Sequence, residues 1–150
     1  MNEHQLDKLK NSKQMACDGW VYSTQRMDLL IITISSAGIY VALETLKYAH
    51  EKNIGQIWLL KTAGLCFVIS IIANFISQST GQKANMHHIH YIDEQLAARD
   101  NPTQNQINNI AAYNCDANFW HHFTSGFNIG SMILMFMGLT SIVGYFIFMF

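Results

Sequence analysis

From Ala117 to Phe150 the chain carries no Asp, Glu, Lys or Arg, and its last 22 residues, IGSMILMFMGLTSIVGYFIFMF, are apolar almost throughout. A helix crosses the hydrocarbon core of a bilayer with roughly 20 predominantly apolar residues. Residues 129–150 therefore read as one span. Two earlier stretches behave in the same way. The first covers 28–48, and its uncharged part, LLIITISSAGIYVAL, is 15 residues long, so Glu44 and Lys47 must sit near an interface. The second covers 57–77, with Lys61 near its start and Trp58 placed as an interfacial anchor. The short link AHEKNIGQ between them contains Asn53 and Gly55, which suit a helix stop.

Residues 78–128 form a polar stretch between the second and third spans, broken once at DNPTQ. A residue before proline is pushed out of the helical region, whereas Pro and Thr suit the start of a new helix. On one side of the break Met86, Ile89, Ile92 and Leu96 recur at spacings of three and four, and on the other Ile107, Ile110, Ala111 and Ala117 do the same. Leu6, Leu9, Ala16, Trp20 and Met27 repeat the pattern in residues 1–27. The expectation is an all-α membrane protein of three long helices, about 4–50, 55–100 and 104–150. Each has one half in lipid and one half in a cytoplasmic arm, and the whole forms a single unit within a homo-oligomeric bundle.

Charge sets the orientation and removes some functions. Nine Lys and Arg oppose ten Asp and Glu, so no basic field invites nucleic acid. Lys8, Lys10, Lys13, Arg26, Lys83 and Arg99 flank one side of the spans, and Lys47, Lys52 and Lys61 the other. The positive-inside bias then puts the N-terminus in the cytoplasm and the C-terminus outside, as in a bacterial inner membrane. The polar residues 1–27 are too long for the n-region of a signal peptide, so the first span is expected to stay as an anchor.

Two stripes of small and polar residues run along the spans. One is Ala63, Cys66, Ser70, Asn74, Ser77 and Gly81; the other is Thr33, Ser36, Tyr40, Glu44 and Lys47. Polar groups in hydrocarbon need internal partners or a water-filled cavity. Close helix packing accounts for both stripes, and so does the lining of a pore formed by several copies. Asn74 is the leading pore candidate, because an amide offers four hydrogen-bonding sites that one small bundle struggles to satisfy. Glu44 and Lys61 are placed to pair near the outer interface, or to snorkel separately. Gly126 and Gly130 form a GxxxG pair, a pattern that permits close helix contact.

Counting outward from Asp28, Gln78 and Gly126 brings Cys17, Ile89 and Cys115 to one height. His87 and His90 lie beside them. Thiolate and imidazole ligands suit a structural metal, and two thiols at one level could also pair, yet ordinary packing explains the same residues. No cofactor is otherwise implied. Neither a nucleophile–base arrangement nor a phosphate-cradling glycine loop is present, so the chain does not read as an enzyme.

In architecture, three apolar spans with helical arms, the chain resembles the small multi-helix membrane effectors of prokaryotic antiviral defence. That resemblance implies an oligomer that forms a pore or disrupts the membrane, gated through its arms by a cytoplasmic protein or a small-molecule signal. Two other readings compete with it: an accessory or anchoring subunit of a larger membrane complex, and a metal- or redox-responsive membrane protein.

Overall fold

A computed structural model describes the backbone of residues 3–52, 57–98 and 103–149, and the side chains of residues 25–52, 57–95, 97–98 and 103–148. It consists of α1 (Glu3–Glu51), α2 (Trp58–Ala97) and α3 (Gln104–Met149). At about 1.5 Å per residue the 46 residues of α3 extend roughly 69 Å, more than a bilayer is thick. All three helices contain segments long and apolar enough to cross a membrane. The chain thus has the build of an integral membrane protein.

Helices α1 and α3 run in one direction and α2 in the other. Along α2 and α3, Glu94 meets Asn109, His87 meets Asp116, and Ser70 meets Ser131. This register agrees with the height count, which set Ile89 level with Cys115. The α2–α3 pair is the most extensive contact, and α1 joins it mainly through α2. Asp28 lies against Asn74, Gly38 against Phe67, and Ala49 clusters with Leu60 and Tyr145.

The start of α3 is built as its sequence suggests. Gln106 Oε1 accepts from the Thr103 backbone N–H at 2.9 Å, and the Gln106 N–H points back to Thr103 Oγ1 at 3.4 Å. This reciprocal capping box occupies N–H groups that a helix terminus otherwise leaves open.

The distribution of residues is inverted relative to a protein folded in water. Leu29, Ile147 and Phe148 are 65 %, 71 % and 77 % exposed, while Ser35, Ser70, Asn74 and Ser131 are fully enclosed. Lipid is as apolar as a leucine side chain, so an apolar exterior costs nothing there, whereas hydroxyls and amides must find partners inside. Trp58 is exposed at the start of α2, and Lys83, 14 residues before the end of that helix, lies 4.7 Å from the Trp120 ring. The 25 residues from Trp58 to Lys83 rise about 38 Å, between the hydrocarbon core and the full bilayer thickness.

Candidate functional site

The interior of the bundle is polar on the side nearest the α2–α3 connection and apolar beyond it. Four tiers lead inward. The first two form the mouth: outermost, Ser77 Oγ donates to the Thr124 carbonyl at 3.1 Å, and the hydroxyls of Thr80 and Thr124 lie 2.9 Å apart. A turn deeper on α2, Asn74 Nδ2 donates to Asp28 Oδ1 at 3.0 Å, and Gln78 Nε2 donates to Asn74 Oδ1 at 2.9 Å. Deeper still, Ser70 Oγ donates to the Ser131 carbonyl at 2.6 Å, while Ser35 Oγ, equally buried, has no hydrogen-bond partner among the described residues. The fourth tier is a seal. Phe67 is fully buried between Gly38 of α1 and Gly138 of α3, and a Cβ on those glycines would stand 2.5 and 2.8 Å from its ring. Only glycine lets two backbones approach one aromatic ring so closely. Past the ring the core is Ala49, Leu60 and Tyr145, whose hydroxyl is buried without a partner among the described residues.

A cavity of about 570 Å³ opens beside the mouth where α1 and α3 part. Its walls carry Gln25 and Asp28 from α1, Gln78, Gln82 and Asn85 from α2, and His121 and Asn128 from α3. Among the described residues Asp28 is the only carboxylate that lines it, and no Lys or Arg does.

The two polar stripes fall on opposite sides of the structure. On α2, Ala63, Cys66, Ser70, Asn74 and Ser77 all face inward and are buried. Asn74 uses two of its four hydrogen-bonding sites within one subunit, donating to Asp28 and accepting from Gln78. On α1, Thr33, Ser36, Tyr40, Glu44 and Lys47 are all exposed. They occupy the face opposite Ile31, Ser35, Gly38 and Ala42, by which α1 packs.

Glu44 and Lys61 both lie on the surface, and no ion pair within 4.0 Å joins them among the described residues. Gly126 and Gly130 make no close helix contact inside the subunit: a Cβ on either would meet nothing within 4 Å. They line a shallow apolar groove with Ile69, Ala73, Phe123 and Leu134.

Cys17 lies outside the residues whose side chains are described. Cys115 is exposed and free. His87 Nδ1 stands 3.8 Å from Asp116 Oδ2, too far for a hydrogen bond, and His90 lies 5.4 Å from the Tyr113 ring. Among the described residues no three His, Cys, Asp or Glu side chains converge as metal ligands.

The Phe67 seal and the Asp28 mouth are features the sequence spacing did not single out. Asp28 carried a signal nonetheless, as the only acidic residue between Asp18 and Glu44. Phe67 carried none, since an aromatic residue in an apolar run is ordinary.

No family model matches the chain, and no curated protein or solved structure matches it either.

Proposed function

We propose that the chain is the subunit of a homo-oligomeric membrane pore, with α1 at the centre of the assembly and the helical extensions beyond the bilayer controlling it. One observation supports this reading above others: the outward stripe of α1. Within an apolar segment, Thr33, Ser36, Tyr40, Glu44 and Lys47 share one face and are exposed. Hydroxyls and charges facing lipid lack partners, and that penalty disappears when the face meets water or another protein. The stripe points directly away from α2 and α3, so copies arranged in a ring with α1 innermost would enclose it. The polar stripe of α2 is already used inside each subunit. It holds the wall together and leaves the lining to α1.

The orientation that goes with this proposal puts the N-terminus and the α2–α3 connection in the cytoplasm, where a protein or small-molecule signal reaches the extensions. A role as a membrane-disrupting defence effector rests on architectural resemblance alone.

Liposomes loaded with a self-quenching dye and reconstituted with purified protein test the proposal. The expected result is leakage that falls at least tenfold in Thr33→Val/Ser36→Leu, with insertion and particle mass unchanged. A monomeric particle that leaks nothing would favour the accessory-subunit reading. Leakage untouched by the double substitution would remove α1 from the lining.

A further inference from the structure

The Asp28 cavity carries an inference that stands apart from the pore, because it lies within one subunit and needs no second copy. A carboxylate at the edge of a bilayer requires a counter-charge or water, since burying an uncompensated charge is among the most unfavourable events in folding. Asp28 is partly buried. Its Oδ1 accepts a 3.0 Å hydrogen bond from Asn74, and among the described residues no Lys or Arg nitrogen lies within 4.0 Å of it. Asn74 is itself fully enclosed and tied to Gln78, so the carboxylate is held in a fixed position. The wall around it supplies amide groups: Gln25 on the same helix, Gln82 and Asn85 on α2, and Asn128 on α3.

Side-chain amide oxygens, one carboxylate and water are the ligands of hard cations. The balance of charge narrows the class. Calcium and magnesium sites in proteins draw on several carboxylates or on phosphates, whereas the described residues of this wall offer one carboxylate and several neutral amide oxygens, with the His121 imidazole beside them. A single carboxylate neutralises a single positive charge. At about 570 Å³ the space exceeds what a bare ion fills, so the ion would keep much of its water shell.

We propose that the cavity bounded by Asp28 and the surrounding amides binds a partly hydrated alkali-metal cation, Na⁺ or K⁺, and that this ion neutralises Asp28. Asn74 and Gln78 orient the carboxylate and do not themselves need to touch the ion.

The test uses the full chain in detergent micelles at constant ionic strength. Thermal unfolding is followed in sodium chloride, potassium chloride, calcium chloride and N-methylglucamine chloride. A ligand that binds only the folded state raises the unfolding temperature, by roughly 3–6 °C at tenfold its dissociation constant for a chain of this size. The expected result is such a rise in Na⁺ or K⁺ relative to N-methylglucamine, abolished in Asp28→Asn. Equal unfolding temperatures in all four salts would overturn the proposal, as would an alkali-metal response that survives Asp28→Asn. A rise in Ca²⁺ alone would overturn the assignment to alkali ions. Should Asp28→Asn fail to fold, the ²³Na line width decides with the native chain: excess broadening reversed by K⁺ supports the site, and its absence removes it. Neither measurement depends on leakage, so the pore and the cation site stand or fall separately.

Discussion

Replacing Gly38 by alanine tests whether the Phe67 wedge holds α1 to the other two helices. The added Cβ would lie 2.5 Å from both Cε2 and Cζ of Phe67. Carbon atoms rest about 3.5–4.0 Å apart, so the overlap amounts to roughly 1 Å or more. The ring has no free direction of retreat. On its far side the backbone at Gly138 is so close that a Cβ there would fall 2.8 Å from the same ring. The helices must therefore spread, or Phe67 must leave its rotamer, and overpacking of this kind costs about 1–3 kcal/mol. Alanine also relieves the helix penalty of glycine, worth about 1 kcal/mol in the opposite direction. Gly64→Ala separates the two effects, because its Cβ would meet only the Ala42 methyl at an ordinary 3.9 Å.

Unfolding in mixed micelles of mild detergent and dodecyl sulfate, followed by helical circular dichroism, supplies the readout. Gly64→Ala is expected at or slightly above the native midpoint, and Gly38→Ala about 1–3 kcal/mol below Gly64→Ala. Adding Phe67→Leu to Gly38→Ala should recover part of the loss, with a coupling energy of about 0.5–3 kcal/mol. Gly38→Ala and Gly64→Ala of equal stability would refute the wedge.

Two further outcomes follow from the hydrogen bonds. Asn74→Leu leaves Asp28 and Gln78 without their shared partner and should destabilise the chain by about 1–3 kcal/mol in the same unfolding assay. Ser70→Ala, which loses one bond to a carbonyl, should destabilise by only about 0.6 kcal/mol; equal losses would mean that Asn74 is no more than one hydrogen bond among many. Thr103→Ala opens the capping box, at a cost of about 1 kcal/mol, and should speed amide exchange in the first turn of α3 without altering the spans; unchanged exchange there would show that the cap is not what holds that turn.

The parts of this fold legible in the sequence are those that depend on position along a helix. The spans could be counted, because lipid demands about 20 apolar residues whatever packs against them. The break before Thr103 and the α2–α3 register could be counted as well, since a short connection between straight helices fixes which heights meet. His87 accordingly stands opposite Asp116, within a turn of the expected level.

Position around the helix was much harder to read, and the reason is physical. In water, apolar periodicity marks the buried face. In lipid both faces of a span are apolar, so the period loses its meaning and only polar and small residues retain any directional information. Those residues proved divided. Ser70, Asn74 and Ser77 turn inward, whereas Thr33, Ser36 and Tyr40, with the same spacing and similar chemistry, turn outward.

Glycine shows the same ambiguity in its sharpest form. Gly126 and Gly130 have the spacing associated with helix contact yet lie on open surface, while Gly38 and Gly138, on different helices and in no shared motif, grip one ring between them. A contact motif confined to one helix cannot encode a site made by three. What identifies the Phe67 site is the agreement of three heights, and that agreement becomes visible only once the register of all three helices is known. The same holds for Asp28, Asn74 and the amides of the cavity, which lie on three helices and become neighbours only when Asp28 of α1 is set against Asn74 of α2. Seal and mouth are therefore products of one register. A shift of α2 by a single turn would move Phe67 off both glycines and strip Asp28 of its partner together, so the fit of the ring fixes the place of the carboxylate.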